Sequence, residues 1–229
     1  MNYYFKLIFR LRNKSCLLFI LSGFYMGPIW SQKKIEDPKA KLILSQTSQK
    51  YRSINTLMAN FIFTLFSPQD KVNQSQSGSL WVRPGTNQYR IEFKDQILIC
   101  DGTNSYTVLK KQNEVQINKV DTSSQNINPA KIFTLYEKGF SYLFGEELIE
   151  NKQKLDRIDL IPNQSKKIFK AQIYINRISK MVYRIKTFDK NGDQLIYTIS
   201  SYNLKPSVGD SFFLFNKKDY PGIEIIDLR

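Results

Sequence analysis

The chain has 229 residues, with 34 lysines and arginines against 20 aspartates and glutamates, and no histidine. The missing imidazole removes the commonest general base, the commonest metal ligand and any Ser-His triad, and leaves the cysteines with no partner for a zinc site or a Cys-His dyad. The composition therefore argues against an enzyme and implies no metal or other cofactor.

Lys6, Arg10, Arg12 and Lys14 make a basic start, and the stretch from Cys16 to Met26 is almost wholly apolar. Gly27, Pro28 and Ser31 follow, and then the polar Gln32-Lys33-Lys34. That order is the signature of a secretory signal peptide, and its apolar core is shorter than the ~20 residues a membrane-spanning helix needs. Residues 1–31 are read as a cleaved signal peptide and residues 32–229 as one domain, with an uncleaved anchor as the alternative. Cys16 precedes the apolar core and lacks the lead-in of a lipid-modified start. The leader takes four basic and no acidic residues with it, so the remaining 198 residues carry a net charge of +10. Cys100 is then the only cysteine, and no intramolecular disulfide can form.

Asp37-Pro38 predicts a helix N-terminus, with Leu44, Tyr51 and Ile54 near one face. From Leu57 the period changes to two: Leu57, Ala59, Phe61, Phe63 and Leu65 share one strand face. Ser67-Pro68-Gln69-Asp70 breaks that strand, and the polar residues to Gln76 read as a loop. Short strands are then expected over Gly78–Arg83, Gln88–Phe93, Gln96–Cys100, Ser105–Leu109 and Glu114–Ile117. The joints carry turn chemistry, with Gly85 and Gly102 in two of them, so the strands form a meander of antiparallel hairpins. Asn128-Pro129 and Gly139 bracket a second short helix. Glu146-Glu147 reads as a solvated turn. Strands Leu155–Ile161, Lys167–Asn176, Met181–Phe188 and Leu195–Tyr202 follow, with Asn191-Gly192 as the last hairpin turn.

One apolar face per strand on so long a sheet requires a cover, and the helices are too small to supply all of it. The expected architecture is mainly β: a strongly curved antiparallel sheet forming an unclosed β-barrel, with short helices laid over its open side. Periodicity alone does not distinguish an apolar cavity from a fully packed core.

Several stretches, in order, resemble the outer-membrane lipoprotein carrier (LolA) family. They are Gly78-Ser79-Leu80-Trp81-Val82-Arg83-Pro84, Ile97-Leu98-Ile99-Cys100-Asp101-Gly102, Asn113-Glu114-Val115-Gln116, the Asn128-Pro129 helix, and Tyr183 to Tyr202 with its Asp189-Lys190-Asn191-Gly192 turn. The resemblance implies a short-helix lid over an apolar cavity that takes the acyl chains of lipoproteins and ferries them through the periplasm from the inner to the outer membrane. The implied cavity residues are Leu57, Ala59, Phe61, Phe63, Leu80, Val82, Tyr89, Ile91, Ile97 and Ile99, with Ile132, Phe133 and Tyr136 on the lid helix. Trp81 points the other way and reads as structural. Arg83 corresponds to the family arginine that latches the lid through hydrogen bonds, although this chain has one residue fewer before it, which bears on the face it takes. Asn87 stands where the family has an aromatic or apolar residue.

The implied partners are acylated outer-membrane lipoproteins as cargo, an inner-membrane lipoprotein-releasing transporter as donor, and an outer-membrane receptor or bilayer as acceptor. The carrier is expected to be a monomer and to bind no nucleic acid. Its basic excess suits anionic headgroups or an acidic partner surface, or is simply a solvated surface. The alternative function is a lipid- or envelope-stress-sensing module on the same fold.

Overall fold

The structure, a computed structural model, describes residues 36–120, 139–164 and 168–229. The expected signal peptide at residues 1–31 and the expected lid helix at residues 129–138 lie outside the described residues.

Helix α1 spans Pro38–Arg52. Pro38 supplies a pre-set φ at the first position, and the Asp37 carboxylate accepts a hydrogen bond from the Ala40 amide at 3.0 Å. That bond holds the Asp37 carboxyl below its ordinary range. The helix buries Ala40, Ile43, Leu44 and Tyr51. Its start is tied down where the Asp37 amide donates to the Tyr142 carbonyl. Its end is tied down where the Tyr51 hydroxyl meets that of Tyr202 at 3.0 Å and accepts from the Val182 amide.

Among the described residues, the strands form one twelve-stranded sheet. Its strands are β1 (Leu57–Ser67), β2 (Val72–Val82), β3 (Gln88–Phe93), β4 (Gln96–Asp101), β5 (Asn104–Leu109), β6 (Glu114–Lys119), β7 (Phe140–Glu150), β8 (Gln153–Pro162), β9 (Ile168–Asn176), β10 (Val182–Asp189), β11 (Gln194–Asn203) and β12 (Glu224–Asp227). The order is β12-β6-β5-β4-β3-β2-β1-β11-β10-β9-β8-β7. Two antiparallel meanders are therefore joined where β1 pairs with β11, and β12 adds in parallel beside β6. The edges β12 and β7 do not pair, which leaves the barrel unclosed.

The structure corrects the sequence reading in three places. The polar residues before Gln76 are strand and not loop: Gln76 pairs with Phe63 and Gln74 with Leu65. They are largely exposed, so no apolar alternation marks them. Glu146 and Glu147 lie within β7 and not in a turn. Glu146 pairs with Arg157 at 2.5 Å, and Glu147 lies between Lys39 and Arg177, so cross-strand ion pairing takes the place of apolar alternation there. The third is β12, whose four residues are too few for a periodic pattern.

Apolar residues form two clusters. The larger lies on the inner face, the one α1 packs against, and draws on β1 to β4 and β7 to β10. The smaller lies on the opposite face of β4 to β6 and holds Ile97, Ile99, Val108 and Val115 with Ile223. It is capped by the C-terminal segment, where Phe215 stacks between Tyr106 and Tyr220 at centroid distances of 5.2 and 5.5 Å.

Candidate functional site: the apolar inner face

The cross-strand register assembles most of the expected residues into a ladder. Leu57 pairs with Val82, and Val82 with Tyr89. Ala59 pairs with Leu80, and Leu80 with Ile91. In a sheet, directly opposed residues point to the same face, so these six line one surface. All six are buried, as are Phe61 and Phe63 farther along β1.

Gly78 opposes both Phe61 and Phe93. A Cβ at this position would lie 2.8 Å from a ring atom of each. Its absence lets the rings meet edge to face, 5.6 Å apart and 84° inclined. Tyr197 from β11 completes the aromatic end, 5.1 Å from Phe63 and 6.2 Å from Phe61. Burial alone pushes the Tyr197 phenol up to about 12, and burial also raises Tyr89, which marks both hydroxyls as lying in poorly solvating surroundings. Nothing in this ladder is a nucleophile beside a base; it offers apolar area and aromatic edges.

Ile97 and Ile99 do not join it. Ile91 pairs with Leu98, and Tyr89 with Cys100, so the even-numbered residues of β4 face inward. Ile97 and Ile99 belong to the cluster on the opposite face. Both faces of β4 are apolar, so alternation carries no signal for its orientation, and the two-residue turn at Lys94-Asp95 sets it instead. Leu98, Cys100, Phe93 and Tyr197 are the inner-face residues that sequence reasoning passed over. The pairing Ile91–Leu98 across that short turn is the signal that identifies the first two. Ile132, Phe133 and Tyr136 lie outside the described residues.

Trp81 takes the outer face as expected and packs on Phe212 at 5.2 Å. Arg83 follows Val82 and turns to the C-terminal segment. Its guanidinium donates to the Asp210 carboxylate at 2.5 Å and to the Gln88 side-chain carbonyl at 3.1 Å, and lies 4.7 Å from the Phe213 ring centre. Among the described residues, then, Arg83 holds the 3-10 turn Asp210–Phe213. The one-residue shortening ahead of it is consistent with this outward placement.

No curated protein matches the chain by sequence. An uncharacterised conserved protein from Thermus thermophilus has a similar fold, with a TM-score of 0.56 at 8% identity over 82% of this chain and 98% of that one. A LolA superfamily protein from Nitrosomonas europaea gives 0.44 at 10% identity, covering 77% and 97%. LprF from Mycobacterium bovis gives 0.47 at 8% identity, covering 76% and 100%. Residues 52–216 match the family described as outer membrane lipoprotein carrier protein LolA. That stretch begins at the last residue of α1, takes in β1 to β11 and runs past the turn that Arg83 holds; the chain belongs to this family, whose carriers are not enzymes.

Proposed function

We propose that the protein is a periplasmic carrier that shelters lipoprotein acyl chains against its inner face and ferries them from the inner to the outer membrane. The observation that carries this reading is the ladder of β1 to β3, eight apolar side chains ending in an aromatic group around Gly78. The one α-helix among the described residues is bonded to β7, β10 and β11, and its buried side chains border the same apolar cluster. Each CH₂ hidden from water contributes about 0.8 kcal/mol, so an acylated protein leaves a bilayer only when a surface of this kind replaces it. In this reading the donor is an inner-membrane lipoprotein-releasing transporter, the acceptor lies at the outer membrane, and residues 1–31 direct export and are removed.

The test places a charge in the ladder. Phe61→Glu should abolish the uptake of lipoprotein released from inner-membrane vesicles, measured by co-purification and mass spectrometry. Its circular dichroism should remain that of a folded β protein. A carboxylate without a partner is tolerable beside a pocket that water can reach and ruinous in a dry core. An unfolded variant would show the ladder to be ordinary core, and a folded variant that still loads would remove the ladder from the binding site.

A further inference from the structure

The two most exposed of the large apolar side chains described are Ile178, at 83%, and Ile149, at 73%. They lie at one corner of the sheet. Ile149 pairs with Lys154 at the end of the β7–β8 hairpin, and Ile178 lies in the β9–β10 turn. The two hairpin ends are joined where the Arg177 amide donates to the Lys154 carbonyl at 3.0 Å. A shallow open depression between them is lined by Lys152, Gln153, Lys154, Asn176, Ile178 and Ser179.

The acidic side chains of this corner are already engaged. Glu147 is bound by Lys39 and Arg177, Asp156 by Arg177, and Glu150 by Arg184 at 2.6 Å with the Tyr183 hydroxyl at 3.1 Å. Lys152, Lys154 and Lys180 have no ion-pair partner among the described residues, so the local excess charge is positive. Two of these lysines are also held at a conformational cost. Asn151 and Lys152 have φ of 48° and 62°, and Lys180 has φ of 59°, in the left-handed region. A two-residue hairpin turn of this kind favours Asn followed by Gly, so lysine in the second place is a cationic side chain kept where glycine fits better.

We propose that this corner docks the protein on an anionic phospholipid surface, with Ile149 and Ile178 entering the headgroup boundary and Lys152, Lys154 and Lys180 lying against the lipid phosphates. Isolated apolar side chains ringed by unpaired lysines are the combination such a surface rewards, because burial and electrostatic attraction act together there. The corner lies apart from the ladder, so docking does not require an occupied inner face.

The experiment is flotation of the cargo-free protein with protein-free vesicles, either of phosphatidylcholine alone or with added phosphatidylglycerol. The protein should float with the anionic vesicles, less so as salt is raised, and not with the neutral ones. Lys152→Gln, Lys154→Gln and Lys180→Gln should each lower the affinity by about fivefold. The double variant Ile149→Ser/Ile178→Ser should weaken binding while leaving its salt dependence in place. Thermal unfolding of each variant confirms that the fold persists. Absence of binding, equal binding to neutral vesicles, or wild-type affinity in the lysine variants would overturn the proposal. Binding to native membranes but not to protein-free anionic vesicles would also overturn it and identify an acidic protein as the partner.

Discussion

Gly78 illustrates how a single missing atom shapes the inner face. Its Cα hydrogen lies where any Cβ would press on Phe61 and Phe93, and neither ring can move far because each packs against further apolar side chains. Gly78→Ala should therefore destabilise the protein by about 1–3 kcal/mol, the usual cost of overpacking a filled region. A urea titration would show a lowered midpoint, and an unchanged midpoint would mean that the rings have room the geometry does not show. At this scale the sequence was informative where a residue had one available orientation: Leu57, Phe61, Leu80 and Ile91 could face only the apolar side of alternating strands. It was uninformative at Ile97 and Ile99, because Leu98 and Cys100 are equally suited to burial and only the pairing partner decides.

Among elements, the C-terminal segment is the one the sequence left without a place. Phe212, Phe213, Phe215 and Tyr220 stand outside any helical or strand period, so no pattern announces that they cover the outer face of the meander. The same holds for β7, whose Gly145 interrupts the register between Phe144 and Glu146, and for the lower half of β2, where polar residues pair with β1 beyond the core. The helix at Asp37-Pro38 and the regular hairpins were legible because capping, turn residues and alternation agree there. Arg83 fastens the C-terminal segment through one ion pair, to the exposed Asp210, and one ring contact. Its loss should cost about 1–2 kcal/mol, as the sum of a screened ion pair and a cation–π contact. Arg83→Leu should accordingly leave the sheet folded and speed tryptic cleavage at Lys217 and Lys218, as followed by mass spectrometry. Cleavage at the wild-type rate would show that Trp81, Arg90 and the stacked rings hold the segment without Arg83.

Across the whole molecule, the sheet changes its apolar face partway along its length. From β1 to β3 the apolar side is the inner one, in β5 and β6 it is the outer one, and β4 is apolar on both. This exchange lets one continuous sheet present an apolar inner face in one region and anchor the C-terminal segment on its back in another. Strand lengths and turns in the sequence were enough to foresee an unclosed, mainly β architecture. The exchange of faces leaves no trace in apolar alternation, and only the two-residue turn Lys94-Asp95, which sets the register between β3 and β4, marks it.

Cys100 lies in that two-faced strand, opposite Tyr89 and Ser105, with no exposed surface. Burial raises its thiol above the ordinary value, so little of it is the thiolate that reacts. It is also the only cysteine after residue 31. The molecule thus contains its own clock for the opening of the inner face, since a maleimide can reach this sulfur only during excursions that part β3 and β4 from whatever covers them. In protein lacking residues 1–31, labelling should be immediate in denaturant and slower by orders of magnitude in buffer, with the native rate counting those excursions. A native rate equal to the denatured one would mean that the ladder stands open to solvent.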